Sequence, residues 1–218
     1  MQGSVAPLVS HYFDHDPEVP SQLQTVPLVL PDLAVQLTTD AGVFGRSLVD
    51  PGTRLLLLEG PAVPAHGDLL DLGCGYGPIT VTLARRAPAA TVWGVDVNRR
   101  ALELAAANAE AAGCANVRVA GPDEVPEGVR FATIWSNPPI RVGKQALHDL
   151  LLRWLPRLAP GATAVLVVHK HLGADSLARW LGDVGHPTTR LVSRMGYRLL
   201  EVGAASGGGA PRGAPAAP

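Results

Sequence analysis

Apolar positions along the chain change period several times, and each change marks the edge of an element. Leu33, Val35 and Leu37 alternate with Ala34, Gln36 and Thr38, the two-residue period of a half-buried strand. Asp40-Ala41-Gly42 predicts a turn, after which Val43 and Phe44 resume apolar character. Residues 53–58 are short and apolar. With Asp50 as N-cap and Pro51 at the first position they read as a helix, and equally as a strand. From Asp68 onward, short apolar runs alternate with amphipathic ones. The runs predict strands at 69–72, 91–95, 117–119, 131–136 and 162–168. Helices are expected at 78–86, with Ile79, Leu83 and Ala87 inward, and at 99–112, with Ala101, Leu102, Ala105 and Ala109 inward. Asn98 suits the N-cap of the latter and Gly113 its end. Two more helices are expected around 144–155 and 174–181. Residues 191–192 and 197–202 flank Met195-Gly196, a tight turn of the kind that joins antiparallel strands.

Strands alternating with helices predict an α/β, doubly wound, mostly parallel sheet. Seven strands are expected, with helices on both faces and a C-terminal antiparallel hairpin at one edge. One domain over residues 32–202 is expected, because 218 residues supply one well-buried core and few chains of this length hold two. Residues 1–31 are rich in proline and acidic groups and read as an irregular arm. Residues 203–218 contain only Gly, Ala, Pro, Ser and one Arg, so they are expected to form a disordered tail.

Charge changes this picture in one respect. Residues 1–140 hold eight Lys/Arg and fifteen Asp/Glu, whereas residues 141–218 hold ten and four. The total of −1 argues against a nonspecific nucleic-acid coat, yet the C-terminal part can carry a local basic face. Cys74 and Cys114 make no disulfide framework and read as reduced thiols of a cytoplasmic protein. No apolar run approaches the roughly 18 residues of a membrane span, and the N-terminus lacks a basic, apolar signal. Four widely spaced histidines among the seven offer no paired spacing with cysteine or carboxylate that would demand a metal.

Candidate chemistry concentrates at two strand ends. Asp71-Leu72-Gly73-Cys74-Gly75-Tyr76-Gly77 places three glycines between a strand and a helix, where a ligand can lie against bare backbone. Asp96, nineteen residues beyond Gly77 at the next strand end, can accept both hydroxyls of an adenosine ribose. A dinucleotide site would show Gly-x-Gly-x-x-Gly and welcome a pyrophosphate. Here the spacing is Gly-x-Gly-x-Gly with Asp71 in front, which suits a cofactor with an amino-acid tail and a sulfonium. A purely structural turn is the other reading. Asp123 follows the third αβ strand and either reaches an adenine amine or sits in a solvated turn.

The second strand end carries Asn137-Pro138-Pro139. Prolines fix the backbone and lack N–H donors, so the Asn137 side-chain oxygen and the Pro138 carbonyl can face one site as paired acceptors. Holding both hydrogens of a planar amine lets its nitrogen rehybridise and aim a lone pair at a methyl group. Arg141, Lys144, Arg153 and Arg157 follow the turn, and His169, Lys170 and His171 leave the fifth strand. Such groups can hold phosphates, or can simply form solvated faces.

In these segments the chain resembles the class I S-adenosylmethionine-dependent methyltransferases, and more closely their "methyltransferase small" family, which includes ribosomal RNA guanine-N2 enzymes. Residues 71–77 resemble its cofactor motif, Val95-Asp96-Val97-Asn98 its ribose segment and Ser136-Asn137-Pro138-Pro139 its catalytic turn. Gly42-Val43-Phe44 with Asp50-Pro51-Gly52-Thr53 resembles its lead-in, and residues 172–177 a segment after its fifth strand. The likeness covers roughly residues 20–202. It implies a Rossmann-like methyltransferase fold and S-adenosylmethionine held by Asp71, Gly73, Cys74, Gly75, Gly77, Asp96, Val97 and Asp123. It further implies an acceptor amine gripped at Asn137, Pro138 and Pro139, and RNA, ribosomal above all, as partner. A protein glutamine amide or another nucleic-acid amine is the alternative acceptor, and a non-catalytic cofactor-binding module the alternative class. Two departures stand out. The residue after Asn-Pro-Pro is often aromatic in the family and stacks on the base; here it is Ile140, so either the sandwich is weaker or another ring such as Phe44 takes part. Many bacterial members also carry an N-terminal domain of similar fold, for which 218 residues leave no room.

Overall fold

The computed structural model describes residues 19–205, apart from the side chain of Arg141. The chain opens with a hairpin, β1 (Gln24–Leu30) and β2 (Leu33–Thr39), paired antiparallel from Gln24↔Thr39 to Leu30↔Leu33. The expected irregular arm over residues 1–31 is therefore corrected at its end: Val26, Leu28 and Leu30 alternate inward. Pro27 obscures that period in the sequence but is tolerated where a strand lies at a sheet edge. The part of the arm before residue 19 lies outside the described residues, as does the expected tail from residue 206.

After α1 (Pro51–Glu59) come β3 (Asp68–Leu72), α2 (Pro78–Arg86), β4 (Thr91–Val95), α3 (Arg99–Ala111) and β5 (Val117–Ala120). Then follow β6 (Phe131–Ser136), α4 (Lys144–Trp154), β7 (Leu158–His169), α5 (Ala174–Asp183), β8 (Thr188–Arg194) and β9 (Tyr197–Gly203). The main sheet has seven strands in the order β5-β4-β3-β6-β7-β9-β8. The first five are parallel neighbours and β9 runs antiparallel to both β7 and β8. This is the doubly wound sheet with an antiparallel edge that the pattern predicts.

Strand alternation divides the core. Leu69, Val92, Trp135, Val165 and Val167 face α1, α2, α3 and the β1–β2 hairpin. Leu70, Leu72, Ile134, Leu166 and Val168 face α4 and α5. Residues 53–58 are helical: the Asp50 carboxylate accepts from the N–H of Gly52 and Thr53, and Pro51 stands in the first turn. Leu55, Leu56 and Leu57 are all buried, in the cluster that also holds Val26, Leu28 and Leu37 of the hairpin and Val165 and Val167 of β7. On α3 the inward face is Ala101, Leu104, Ala105, Asn108 and Ala109; three of the four expected residues are there, while Leu102 is only half buried and Leu104 packs inward instead. Asn98 caps α3 as predicted, accepting from Ala101 N–H at 3.1 Å. Strand β7 begins four residues before the predicted start, because Pro160 and Gly161 fall in a register shift against β6.

No helix joins β5 to β6. Residues 121–130 cross as a loop, which α4 and the 3-10 turn Leu155–Arg157 tie down: Arg153 donates to the Pro122 carbonyl and the Asp123 carboxylate, Arg157 to the Pro126 and Val129 carbonyls. These two arginines therefore satisfy loop carbonyls that no ladder reaches. That use replaces the phosphate contacts entertained for them from the sequence.

Two parallel strands that leave in opposite directions create a crevice at their C-terminal ends. Here β3 and β6 are those strands, since the chain passes from β3 outward to β4 and β5, then returns to β6 and continues outward to β7. Gly77 starts α2 with φ +92°, and a Cβ there would lie 3.2 Å from Cα and Cβ of Ala105 on α3. Gly77→Ala should therefore cost about 1–3 kcal/mol from left-handed strain and crowding. Urea denaturation of the variant against the native chain measures this; an unchanged midpoint would show that α2 and α3 separate freely.

Candidate functional site at the β3–β6 crevice

The glycine turn leaves β3 and is stitched to the neighbouring strand. The N–H groups of Gly73 and Cys74 both donate to the Val95 carbonyl, at 2.8 and 3.0 Å. Gly73 and Gly75 have φ of +76° and +55°, and a Cβ on either would meet nothing within 4 Å. Their Cα faces thus look into open space, a cradle of the kind a flat ligand occupies. Gly77 has a different reason to be glycine, the close approach of α3 described above.

Two carboxylates sit behind this cradle. Asp71 is fully buried at the end of β3, where its Oδ2 accepts from Thr80 N–H at 2.8 Å and Thr80 Oγ1 at 2.6 Å. Its Oδ1 has no partner among the described residues. Burial pushes its pKa up to about 7, with the Thr80 hydrogen bonds opposing and the charge of Asp96 adding. Asp96, at the end of β4, accepts from Gly75 N–H at 2.9 Å and Asn98 N–H at 3.0 Å. Burial raises its pKa as well, against three backbone N–H groups that favour the anion. The Asp96 carboxylate keeps acceptor capacity for a further donor. Val97 is half buried beside it. The Cys74 thiol, buried next to both acids, is pushed well above its ordinary value and is no nucleophile. A cationic group placed here relieves both acids, whereas a pyrophosphate would add repulsion. The orphaned Asp71 oxygen and the open glycine faces therefore fit a nucleoside cofactor with a positively charged tail.

The second turn stands beside the first. Ser136 Oγ at the end of β6 donates to the Leu72 carbonyl at 2.6 Å, joining the two strand ends directly. Asn137 follows, and its Nδ2 donates to Asp50 Oδ1 at 2.8 Å and Thr53 Oγ1 at 3.0 Å. Both partners belong to the start of α1. With its nitrogen engaged there, the Asn137 oxygen is left for the crevice, which Phe44, Asp50, Thr53, Gly73, Gly75, Tyr76 and Asn137 line together. Pro138 departs from expectation. Its carbonyl accepts from Ile140 N–H at 2.8 Å across Pro139, whose φ −73° and ψ 77° are those of an inverse γ-turn. One lone pair of that carbonyl is thus used inside the turn.

Phe44 lines the crevice and is 45% exposed. Ile140 instead packs against the α4–α5 side of the core. Arg141 lies in the 3-10 turn Ile140–Val142, and its side chain is outside the described structure. Lys144 is exposed at the start of α4. Asp123 is not brought to the crevice: its side chain is 92% exposed and pairs with Arg153 at 2.7 Å. His169, at the end of β7, stacks edge-on against Tyr197, with ring centres 4.9 Å apart. A roomier groove of about 370 Å³ runs between the end of α3 and β5, but alanines, Val117 and Val119 dominate it and only Glu110 brings charge. Among the described residues no three His, Cys, Asp or Glu side chains gather as a metal site, and no helix is long and apolar enough to cross a membrane.

Sequence reasoning missed Asp50, Thr53 and Tyr76 as residues of this crevice. Asp50 was legible as a cap and as part of the lead-in, and no spacing rule links it to a side chain 87 positions away. Tyr76 lies 2% exposed with its hydroxyl unpartnered among the described residues. Burial, aided by the charge of Asp50, raises its pKa.

The raised pKa of Asp71 has a thermodynamic consequence. The folded state holds this proton more tightly than the unfolded chain, so the favourable contribution is complete below about pH 4 and disappears as pH rises to about 7. Asp71→Asn mimics the protonated acid. Its stability relative to the native chain should rise between pH 4 and 7.5 by on the order of 4 kcal/mol, at about 1.4 kcal/mol per pH unit. Parallel urea curves across that range would refute the buried-acid assignment.

Comparison with known proteins accords with this crevice. The model of the methyltransferase small domain matches residues 34–201. An uncharacterised protein of Bacillus subtilis, YbxB, is 34% identical over 194 residues, covering 88% of this chain and 96% of that one. Ribosomal RNA small subunit methyltransferase C of Pseudomonas aeruginosa is 35% identical over 191 residues, 84% of this chain and 55% of that protein. Among solved structures, the Thermus thermophilus 16S rRNA N2 G1207 methyltransferase RsmC, in complex with AdoMet and guanosine, superposes with a TM-score of 0.68. It is 26% identical, with 86% of this chain and 52% of that one covered. The chain thus spans about half the length of the two ribosomal RNA enzymes and nearly all of YbxB. A matched domain that contains both strand-end turns and the whole sheet settles the affiliation: the chain belongs to the methyltransferase small family.

Proposed function

We propose that the chain transfers a methyl group from S-adenosylmethionine to the exocyclic N2 of guanine in ribosomal RNA. The observation that carries this reading is the Asn137 amide. Its nitrogen is held by Asp50 and Thr53 at 2.8 and 3.0 Å, which leaves its oxygen as an acceptor beside the open glycine faces. The similarity to an RsmC structure holding AdoMet and guanosine supports the same donor and acceptor.

When bound, the cofactor supplies an electrophilic methyl group on a positively charged sulfur. Gly73 and Gly75 offer the backbone surface for it, Asp71 the unpaired oxygen for its cationic tail, and Asp96 the acceptors for its ribose. Asn137 Oδ1 receives one hydrogen of the amine and the free lone pair of the Pro138 carbonyl the other. Both contacts strengthen as positive charge develops on the nitrogen, which is how positioning lowers the barrier. Pro139 keeps the turn rigid. Phe44 offers its face to the base in place of the aromatic residue that Ile140 replaces, and Arg141 with Lys144 hold flanking phosphates.

Asn137→Ala should leave cofactor affinity within about twofold and lower kcat by roughly 10²-fold or more. Equal losses in both would remove Asn137 from the acceptor site. Asp96→Ala should weaken cofactor binding by about 10- to 100-fold, the worth of hydrogen bonds to a charged group; unchanged affinity in calorimetry would refute its ribose role. Incubation with labelled S-adenosylmethionine, separated ribosomal RNAs and intact subunits, followed by nucleoside analysis, tests the acceptor. N2-methylguanosine is expected, and label confined to protein would overturn the assignment.

A further inference from the structure

An asparagine amide is nearly symmetric in shape but not in chemistry, since one end donates and the other accepts. A methyl-acceptor amine needs the accepting end. Rotation of the Asn137 amide by 180° would present N–H groups to the amine and abolish the grip. Something must decide between the two orientations.

Asp50 is the group able to decide. A carboxylate accepts and never donates, so the end of Asn137 that lies 2.8 Å from Asp50 Oδ1 has to be the nitrogen. The reverse orientation would bring two oxygen acceptors to that distance. Thr53 Oγ1, at 3.0 Å from the same nitrogen, can donate or accept and so tolerates either orientation. The carboxylate is itself immobilised. The same oxygen accepts from Gly52 N–H at 2.8 Å and Thr53 N–H at 3.1 Å, the free donors of the first turn of α1. That turn is wedged from behind, because a Cβ on Gly52 would lie 2.7 Å from the Tyr197 ring of β9. The start of α1 therefore has one position, and Asp50 transmits it to the turn after β6.

We propose that Asp50 is a positioning residue for methyl transfer, setting the Asn137 amide so that its oxygen faces the acceptor amine. This role rests on the reading of Asn137 as the group that grips the amine. Helix capping and active-site orientation share one oxygen, so the α1 N-terminus is part of the catalytic apparatus. The bond is charge-assisted, which also draws electron density toward the Asn137 oxygen and makes it the stronger acceptor.

Two substitutions separate this role from capping. Asp50→Ser retains a cap oxygen of comparable quality but lacks the reach to Asn137. Asp50→Asn retains an acceptor oxygen at the original reach. With ribosomal RNA and S-adenosylmethionine, Asp50→Ser should lower kcat by about 10- to 100-fold, with the cofactor KM within about twofold. Asp50→Asn should restore kcat to within about fivefold of the native chain. Native kcat in Asp50→Ser would overturn the proposal. So would an equal loss in Asp50→Asn, which would place the charge itself in the reaction. A readout independent of substrate completes the test: the side-chain amide resonances of Asn137, assigned by their disappearance in Asn137→Ala. Slow hydrogen exchange of this pair in the native chain should become fast in Asp50→Ser, and unchanged exchange would refute the contact. If the native chain methylates no RNA, this arm alone decides the positioning role, and the failure belongs to the proposed acceptor.

Discussion

The hydrogen bond from Ser136 Oγ to the Leu72 carbonyl, 2.6 Å long, joins the two halves of the crevice. Strands β3 and β6 lie side by side in parallel register, Asp71 opposite Trp135, so their C-terminal ends fall at the same level. The glycine turn leaves one and the Asn-Pro-Pro turn the other. A shift of one residue in that register would carry Asn137 away from Gly73 and turn every side chain of β6 to the opposite face. Apolar residues buried on both faces of β6, including Trp135 and Ile134, make such a shift prohibitive.

Around this joint the structure separates two kinds of buried polarity. Asp71 and Asp96 are held without a cation, and burial raises the pKa of both. A cationic group beside them would relieve both. Asn98 and Asn108 are the opposite case. Asn98 bonds the Gly42 carbonyl while capping α3, and Asn108 spans Thr38 and Tyr76. Both satisfy backbone and fasten the lead-in segment to the sheet, which is what brings Phe44 and Asp50 to the crevice.

The readings that were corrected or left open have identifiable causes. The hairpin strand Gln24–Leu30 alternates as a strand should, but Pro27 and an acidic, proline-rich neighbourhood mask it. Residues 53–58 could be read two ways because a run of four leucines carries no period; only the sandwich of hairpin, helix and sheet distinguishes them. Arg153 and Arg157 follow the Asn-Pro-Pro turn in the chain, yet α4 and the 3-10 turn after it carry them roughly 15 Å away, at about 1.5 Å per residue, to the loop they tie down.

Local chemistry was legible from the chain alone. Three glycines after a strand, an acid at the end of the next strand and two prolines behind an asparagine each constrain their own backbone within a few residues, whatever lies elsewhere. Which groups face one another required the folded molecule. That Asp50 orients Asn137, that Asp71 keeps an unpaired oxygen, and that Asp123 turns to Arg153 are outcomes of contacts across 87, 9 and 30 positions. Residue patterns report periodicity along a chain. Hydrogen-bond partners are chosen by proximity in three dimensions, and packing alone sets that.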